Sequence, residues 1–125
     1  MTHQNNTKVL VVDDHALSRE LLCEALTCAG YAVRAASDGV HAIRHMEETR
    51  FDVVLTDVSM PQMDGLELLT KIRERWPESR VVVHSSVLTW RTARLARVEG
   101  AYACLSKSAN TAQLLKTIAS ASLAT

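Results

Sequence analysis

Five side chains able to do chemistry stand just beyond short apolar runs: the adjacent carboxylates Asp13 and Asp14, the carboxylate Asp57, the hydroxyl of Ser85 and the ammonium of Lys107. Three carboxylates gathered in one place repel one another, so the cluster is expected either to show raised pKa values or to bind a cation. A hard divalent ion with oxygen ligands suits them, and Mg2+ is the natural choice where a phosphoryl group shares the site. An ammonium would add fixed positive charge there, and a hydroxyl would add a hydrogen-bond donor. Each residue also has a plainer reading. Asp is a good helix N-cap, which accounts for one of the two adjacent acids but leaves the other, and Asp57, without a role. A lysine at a strand end is usually solvated, and Ser85 can be a loop serine with Ser86 as its competitor.

The elements that would position these residues alternate strand and helix along the chain. Val9-Leu10-Val11-Val12 is a continuous apolar run, the mark of a strand covered on both faces. A helical stretch over 16–29 follows, with Leu21, Ala25, Leu26 and Ala29 as its expected inward stripe and Gly30 as its stop. Residues 31–36 read as a second strand, and Ser37-Asp38-Gly39 starts a second helix with Ala42, Ile43 and Met46 inward. A third strand over 51–56 leads into Asp57, and Gly65 opens a third helix with Leu66, Leu69 and Ile72 inward, closed by Trp76-Pro77. Strand four covers 80–84, helix four runs over about 89–99 to Gly100, strand five covers 102–105, and the last helix runs over about 111–121. Such alternation implies an α/β domain with a parallel sheet and helices on both faces. Function in these sheets collects at the carboxyl ends of the strands, and four strands here deliver a polar residue to that edge.

Length and composition agree. At 125 residues the chain is expected to be one domain, with a flexible leader over 1–7 and the folded unit over 8–125. Apolar residues make up 47% and charged residues 22%, and the formal net charge is zero, so no overall positive field draws the chain to nucleic acid or an anionic membrane. Cys23, Cys28 and Cys104 cannot all pair within the chain and form no Cys-x-x-Cys motif. They are expected to be buried or half-buried thiols in a reducing compartment, the cytoplasm. No basic-then-apolar leader and no apolar run of membrane-spanning length is present in the sequence given.

Three segments carry a resemblance. Val9-Leu10-Val11-Val12-Asp13-Asp14-His15, then Leu55-Thr56-Asp57-Val58-Ser59-Met60-Pro61-Gln62-Met63-Asp64-Gly65, then Lys107 resemble the receiver domain of bacterial two-component response regulators, over essentially the whole chain. The resemblance implies a CheY-like, flavodoxin-like fold: a doubly wound five-stranded parallel sheet of order 2-1-3-4-5 with five helices. It implies that Asp57 is the phosphoacceptor for a sensor histidine kinase or histidine phosphotransfer protein. Asp14 and Asp57 would bind Mg2+ directly, Asp13 largely through water, and the backbone carbonyl of Ser59 would complete the protein ligands. Lys107 would neutralise charge on the transferring group, and Ser85 would reach the phosphoryl oxygen once Asp57 is modified. The chain would act on no separate substrate, catalysing only its own Mg2+-dependent phosphorylation and dephosphorylation. Its output would be a changed contact with a downstream domain or protein, with no direct nucleic acid contact and no membrane insertion; a homodimer is a further partner reading.

Two departures from the family pattern bear on switching. The aromatic residue that receivers commonly carry shortly before the lysine is replaced by Cys104, with Tyr102 two positions earlier, and Ser108 follows Lys107 where many receivers have proline. A cis peptide is therefore not expected there. Ser59 and Val87, in positions where receivers tune hydrolysis, are neither acid nor amide, which implies slow self-dephosphorylation. Arg91, Arg94 and Arg97 with Trp90 form either a solvated stripe or a partner surface, while Leu17 and Leu22 are candidate contacts for the phosphodonor. His15, His41, His45 and His84 lack metal-ligand spacing. Two rival classes fit the residues less well. A haloacid-dehalogenase-like phosphatase would place an Asp-x-Asp motif after strand one, where adjacent aspartates stand instead. A phosphorylation-independent pseudo-receiver would typically lack part of the acid–lysine set, which this chain keeps.

Overall fold

Val9 to Val12 form the interior of β1 (Lys8–Val12), and all four side chains are buried, as a strand with helices on both faces requires. The computed structural model describes residues 7–58, 65–86 and 88–123; of the leader expected over 1–7, only Thr7 lies among them. After β1 come α1 (Ala16–Cys28), β2 (Ala32–Ala36), α2 (Gly39–Glu48), β3 (Val53–Thr56), α3 (Gly65–Arg75), β4 (Arg80–Ser85), α4 (Trp90–Val98), β5 (Ala103–Ser106) and α5 (Thr111–Leu123). The strands form one parallel sheet of order β2-β1-β3-β4-β5, the doubly wound order expected.

Alternation along the strands divides the core in two. Leu10, Val12, Val54, Val81 and Val83 face one side, packing with Ala42 and Met46 of α2, Leu68, Leu69 and Ile72 of α3 and Ala96 of α4. Val9, Val11, Val53, Leu55, Val82 and Leu105 face the other, packing with Leu26 of α1 and Leu114, Ile118 and Ala121 of α5. Helix ends follow local chemistry. Asp38 and Thr89 cap α2 and α4 through the N–H groups of His41 and Thr92. Gly30 and Gly100, with φ of 100° and 104°, end α1 and α4 in a left-handed turn that a side chain would strain.

Several expectations change. On α1 the inward residues are Leu22, Cys23 and Leu26, while Leu21 is 58% exposed and Ala29 is exposed. Leu26 is inward as expected, while Leu22 takes the place expected of Leu21, because the two leucines offer the same hydrophobicity at neighbouring angles and only packing against α5 and the sheet decides between them. Leu22 is thereby core-facing, whereas Leu17 stands exposed. Cys28 is exposed rather than buried, and the half-buried Cys23 and Cys104 have thiol pKa values raised by burial. Ser85 closes β4 instead of following it. No cis peptide occurs among the described residues.

Candidate functional site

The site begins where the sheet ladder runs one residue past its strands. The N–H of Asp13 donates to the Ala36 carbonyl at 3.1 Å, that of Asp57 to the Val12 carbonyl at 3.0 Å, and that of Lys107 to the Ser85 carbonyl at 2.8 Å. The backbone of each residue is therefore held by its neighbouring strand, and their carboxyl-terminal positions bring the side chains together. Lys107 Nζ donates to Asp13 Oδ2 at 2.8 Å and to Asp57 Oδ2 at 3.0 Å. Asp13 is 1% exposed and Asp57 7%, so the ammonium bridges two buried carboxylates.

Asp13 is held from several directions. Its Oδ1 accepts the His15 N–H at 2.9 Å, its Oδ2 also accepts the Ser18 hydroxyl at 2.7 Å, and its backbone carbonyl accepts Arg19 at 2.8 Å. The N-cap of α1 is His15, whose Nδ1 accepts the Ser18 N–H, so neither adjacent aspartate performs the capping expected of one of them. Burial alone would raise the Asp13 carboxyl pKa. The hydrogen bonds from Lys107, His15 and Ser18, with the Lys107 charge, outweigh burial and hold the value below the usual carboxylate range. Burial likewise acts to lower Lys107, but its bonds to Asp13 and Asp57 raise it above the usual lysine value. Of the two outcomes expected for the acids, raised pKa values or a bound cation, the first does not occur at Asp13, because the Lys107 ammonium donates directly to its carboxylate.

Asp14 differs from its neighbour. Its side chain is exposed, yet one oxygen from each of Asp13, Asp14 and Asp57 lies within 4.8 Å of the others, a grouping able to hold a metal ion. Three hard oxygen donors with one carboxylate facing water suit a small divalent cation that keeps some of its own water. Asp14, His15, Ser18, Asp57, Ser86 and Lys107 line one open cleft. Ser85 itself is buried, and alternation sets it with Val81 and Val83 toward α4. Ser59, with Met60 to Asp64 and Val87, lies outside the described residues, so the carbonyl expected to ligate the metal and both residues expected to tune hydrolysis are not described here.

The family model described as the response regulator receiver domain matches residues 9–119. This chain belongs to the receiver domain family. The receiver is 38% identical over 112 residues to the sensor histidine kinase RcsC of Salmonella typhi, a match covering 89% of this chain and 12% of the kinase. Its fold superposes with a TM-score of 0.87 on the chemotaxis protein CheY4 of Vibrio cholerae at 31% identity, covering 93% of this chain and 98% of that one. A Burkholderia pseudomallei response regulator solved with a phosphorylated aspartic acid, a calcium ion and citrate gives a TM-score of 0.84 at 28% identity, covering 90% of this chain and 66% of that one. The chain thus spans about an eighth of the kinase's length (12%). No helix among the described residues is long and apolar enough to cross a membrane.

Within this receiver, Tyr102 and Cys104 take different places. The Tyr102 hydroxyl bonds to Ser120 of α5 at 2.6 Å, and its N–H donates to the Val81 carbonyl near the start of β4, away from the acids. Cys104 lies between β5 and α4, its sulfur 3.8 Å from the Ala93 carbonyl. Tyr102 therefore does not occupy the place that a side chain at position 104 takes beside α4. Trp90, Arg91, Arg94 and Arg97 are all exposed. The sequence reading missed two residues at the site: Ser18, and His84, which is 7% exposed beneath Lys107. Burial, with the Lys107 charge, lowers the His84 pKa, and its Nδ1 has no hydrogen-bond partner among the described residues. The available signal was alternation: Val82 and His84 share a sheet face on β4, the face of α1 and α5.

Proposed function

We propose that this receiver accepts a phosphoryl group on Asp57 from a sensor histidine kinase or a histidine phosphotransfer protein, and that the modified state changes contacts with a downstream output domain or protein. The observation that carries this reading is the Lys107 ammonium bridging Asp57 and Asp13 beside a third carboxylate, with all three acids within reach of one cation. An Asp57 oxygen attacks phosphorus, an acyl phosphate bond forms, and the bond to the donor nitrogen breaks, leaving its electron pair on an imidazole that then takes up a proton. Negative charge accumulates on the transferring oxygens, and Lys107 is placed to neutralise part of it. Asp13, Asp14 and Asp57, with the Ser59 carbonyl, are the residues proposed to hold Mg2+, which when bound supplies charge neutralisation for the transferring group. Ser85, at the end of β4, is the hydroxyl proposed to engage the phosphoryl group and draw the segment before α4 with it. The catalysis proposed is confined to the chain's own aspartate.

Incubation with acetyl phosphate and Mg2+, followed by intact-mass measurement, tests the reading. Wild type is expected to gain the mass of one phosphoryl group and Asp57→Asn none. No gain in either protein would instead favour an interaction module that works without phosphorylation.

A further inference from the structure

Consecutive residues of α1 grip Asp13 at both of its ends. The Ser18 hydroxyl donates to Asp13 Oδ2 at 2.7 Å and the Arg19 guanidinium to the Asp13 carbonyl at 2.8 Å. That same Oδ2 receives Lys107 Nζ at 2.8 Å. The other bond of the ammonium, 3.0 Å to Asp57 Oδ2, runs to the carboxylate that takes the phosphoryl group. As Asp57 reacts, that bond must change, and Asp13 Oδ2 becomes the anchor that still holds the ammonium. Where this oxygen points depends on rotation about the Cβ–Cγ bond of Asp13. Besides Lys107 itself, two donors set the rotation, the His15 N–H on Oδ1 and the Ser18 hydroxyl on Oδ2. The hydroxyl is not needed to start the helix, since His15 Nδ1 already caps α1.

We propose that Ser18 is a positioning residue for phosphoryl transfer, holding the Asp13 carboxylate in the rotation that aims the Lys107 ammonium at the transferring group. Ser18 lines the cleft together with Asp57 and Lys107, so its hydroxyl lies where the geometry of the reacting groups is set. Small displacements of a charged group near a transferring phosphoryl are costly, because the stabilisation comes from preorganised charge. The inference rests on Asp57 being the phosphoacceptor.

The test is the rate of phosphate uptake from acetyl phosphate at saturating Mg2+, followed by intact mass, with thermal melting as a check that each variant folds. Ser18→Ala is expected to lower the saturated rate about ten-fold, the effect of losing one hydrogen bond to a charged group. The acetyl phosphate concentration giving half the maximal rate should stay near that of wild type, and Ser18→Thr should recover most of the rate. In a Lys107→Ala background, Ser18→Ala should change the rate less than about two-fold, because the residue acts through the ammonium. Ser18→Cys, close in volume but a poor donor, should be slow like Ser18→Ala, and serves if the alanine variant fails to fold. A folded Ser18→Ala at the wild-type rate, or one losing the same factor with and without Lys107, overturns the inference while leaving the phosphoacceptor reading intact. A wild type that gains no phosphate overturns both.

Discussion

Lys107 carries the electrostatics of the site, since its ammonium bridges two carboxylates buried side by side. Its effect on stability has a definite sign. Asp13, held below its ordinary 3.8, contributes stability above that value and loses it as pH falls through the lowered folded value. Lys107, held above its ordinary 10.5, contributes stability below that value and loses it as pH rises through the raised one. His84 acts between these limits. Its pKa lies below the ordinary 6.5, so in acid the unfolded chain takes up a proton that the folded chain resists, and stability falls as pH drops from about 6.5 toward the folded value. Replacing the ring removes both that sensitivity and a buried nitrogen without a partner among the described residues, and such a group costs about 1–3 kcal/mol. Urea unfolding of metal-free His84→Leu is therefore expected to give a midpoint at about pH 7.5 no lower than wild type, and a smaller loss on moving to about pH 5.5. An equal or larger acid loss in the variant would contradict this assignment.

Among the elements, the start of α3 is the most tightly constrained. The Gly65 N–H donates to the Val58 carbonyl at 2.8 Å, and a Cβ on Gly65 would run into the Asp57 carbonyl oxygen and the Val58 Cα. The helix can approach the Asp57 backbone only because position 65 has no side chain. Gly65→Ala is expected to cost about 1–3 kcal/mol, as overpacking does, and to slow phosphate uptake by moving the Asp57 peptide. Urea denaturation and the mass assay measure the two effects separately. The same close approach explains why Gly65 could be read from sequence as a helix start, while its steric role could not. Helix α1 gives the opposite lesson. Leu21 and Leu22 are equivalent by hydrophobicity, and a 100° step between neighbours decides which one packs inward.

For the molecule as a whole, the sheet brings together side chains distant in sequence, and one prediction tests the assembled site rather than any one strand. Asp14 is exposed, so Asp14→Asn should leave metal-free stability unchanged or slightly higher, because it relieves repulsion among the acids. It should also abolish most of the rise in melting temperature expected when Mg2+ is added to wild type, since an ion bound only by the folded state stabilises by mass action. An undiminished Mg2+ effect would place the ion elsewhere.

The strand–helix alternation, the sheet edge that collects the polar residues and the family motifs were all legible in one dimension. Strand periodicity even set Asp13, Asp57 and Lys107 in phase with Val11, Leu55 and Leu105, which share one sheet face. Hydrophobic patterning and short-range turn chemistry suffice for these features, because each depends on residues close together along the chain. Tertiary structure alone decided that Lys107 would lower the Asp13 pKa, that Ser18 would share its carboxylate, that His84 would lie buried near the site, and that Tyr102 would dock on Ser120. Those outcomes depend on distances of about 3 Å between groups carried by different elements. Such distances are set by how the helices settle on the sheet, which no spacing along the chain encodes.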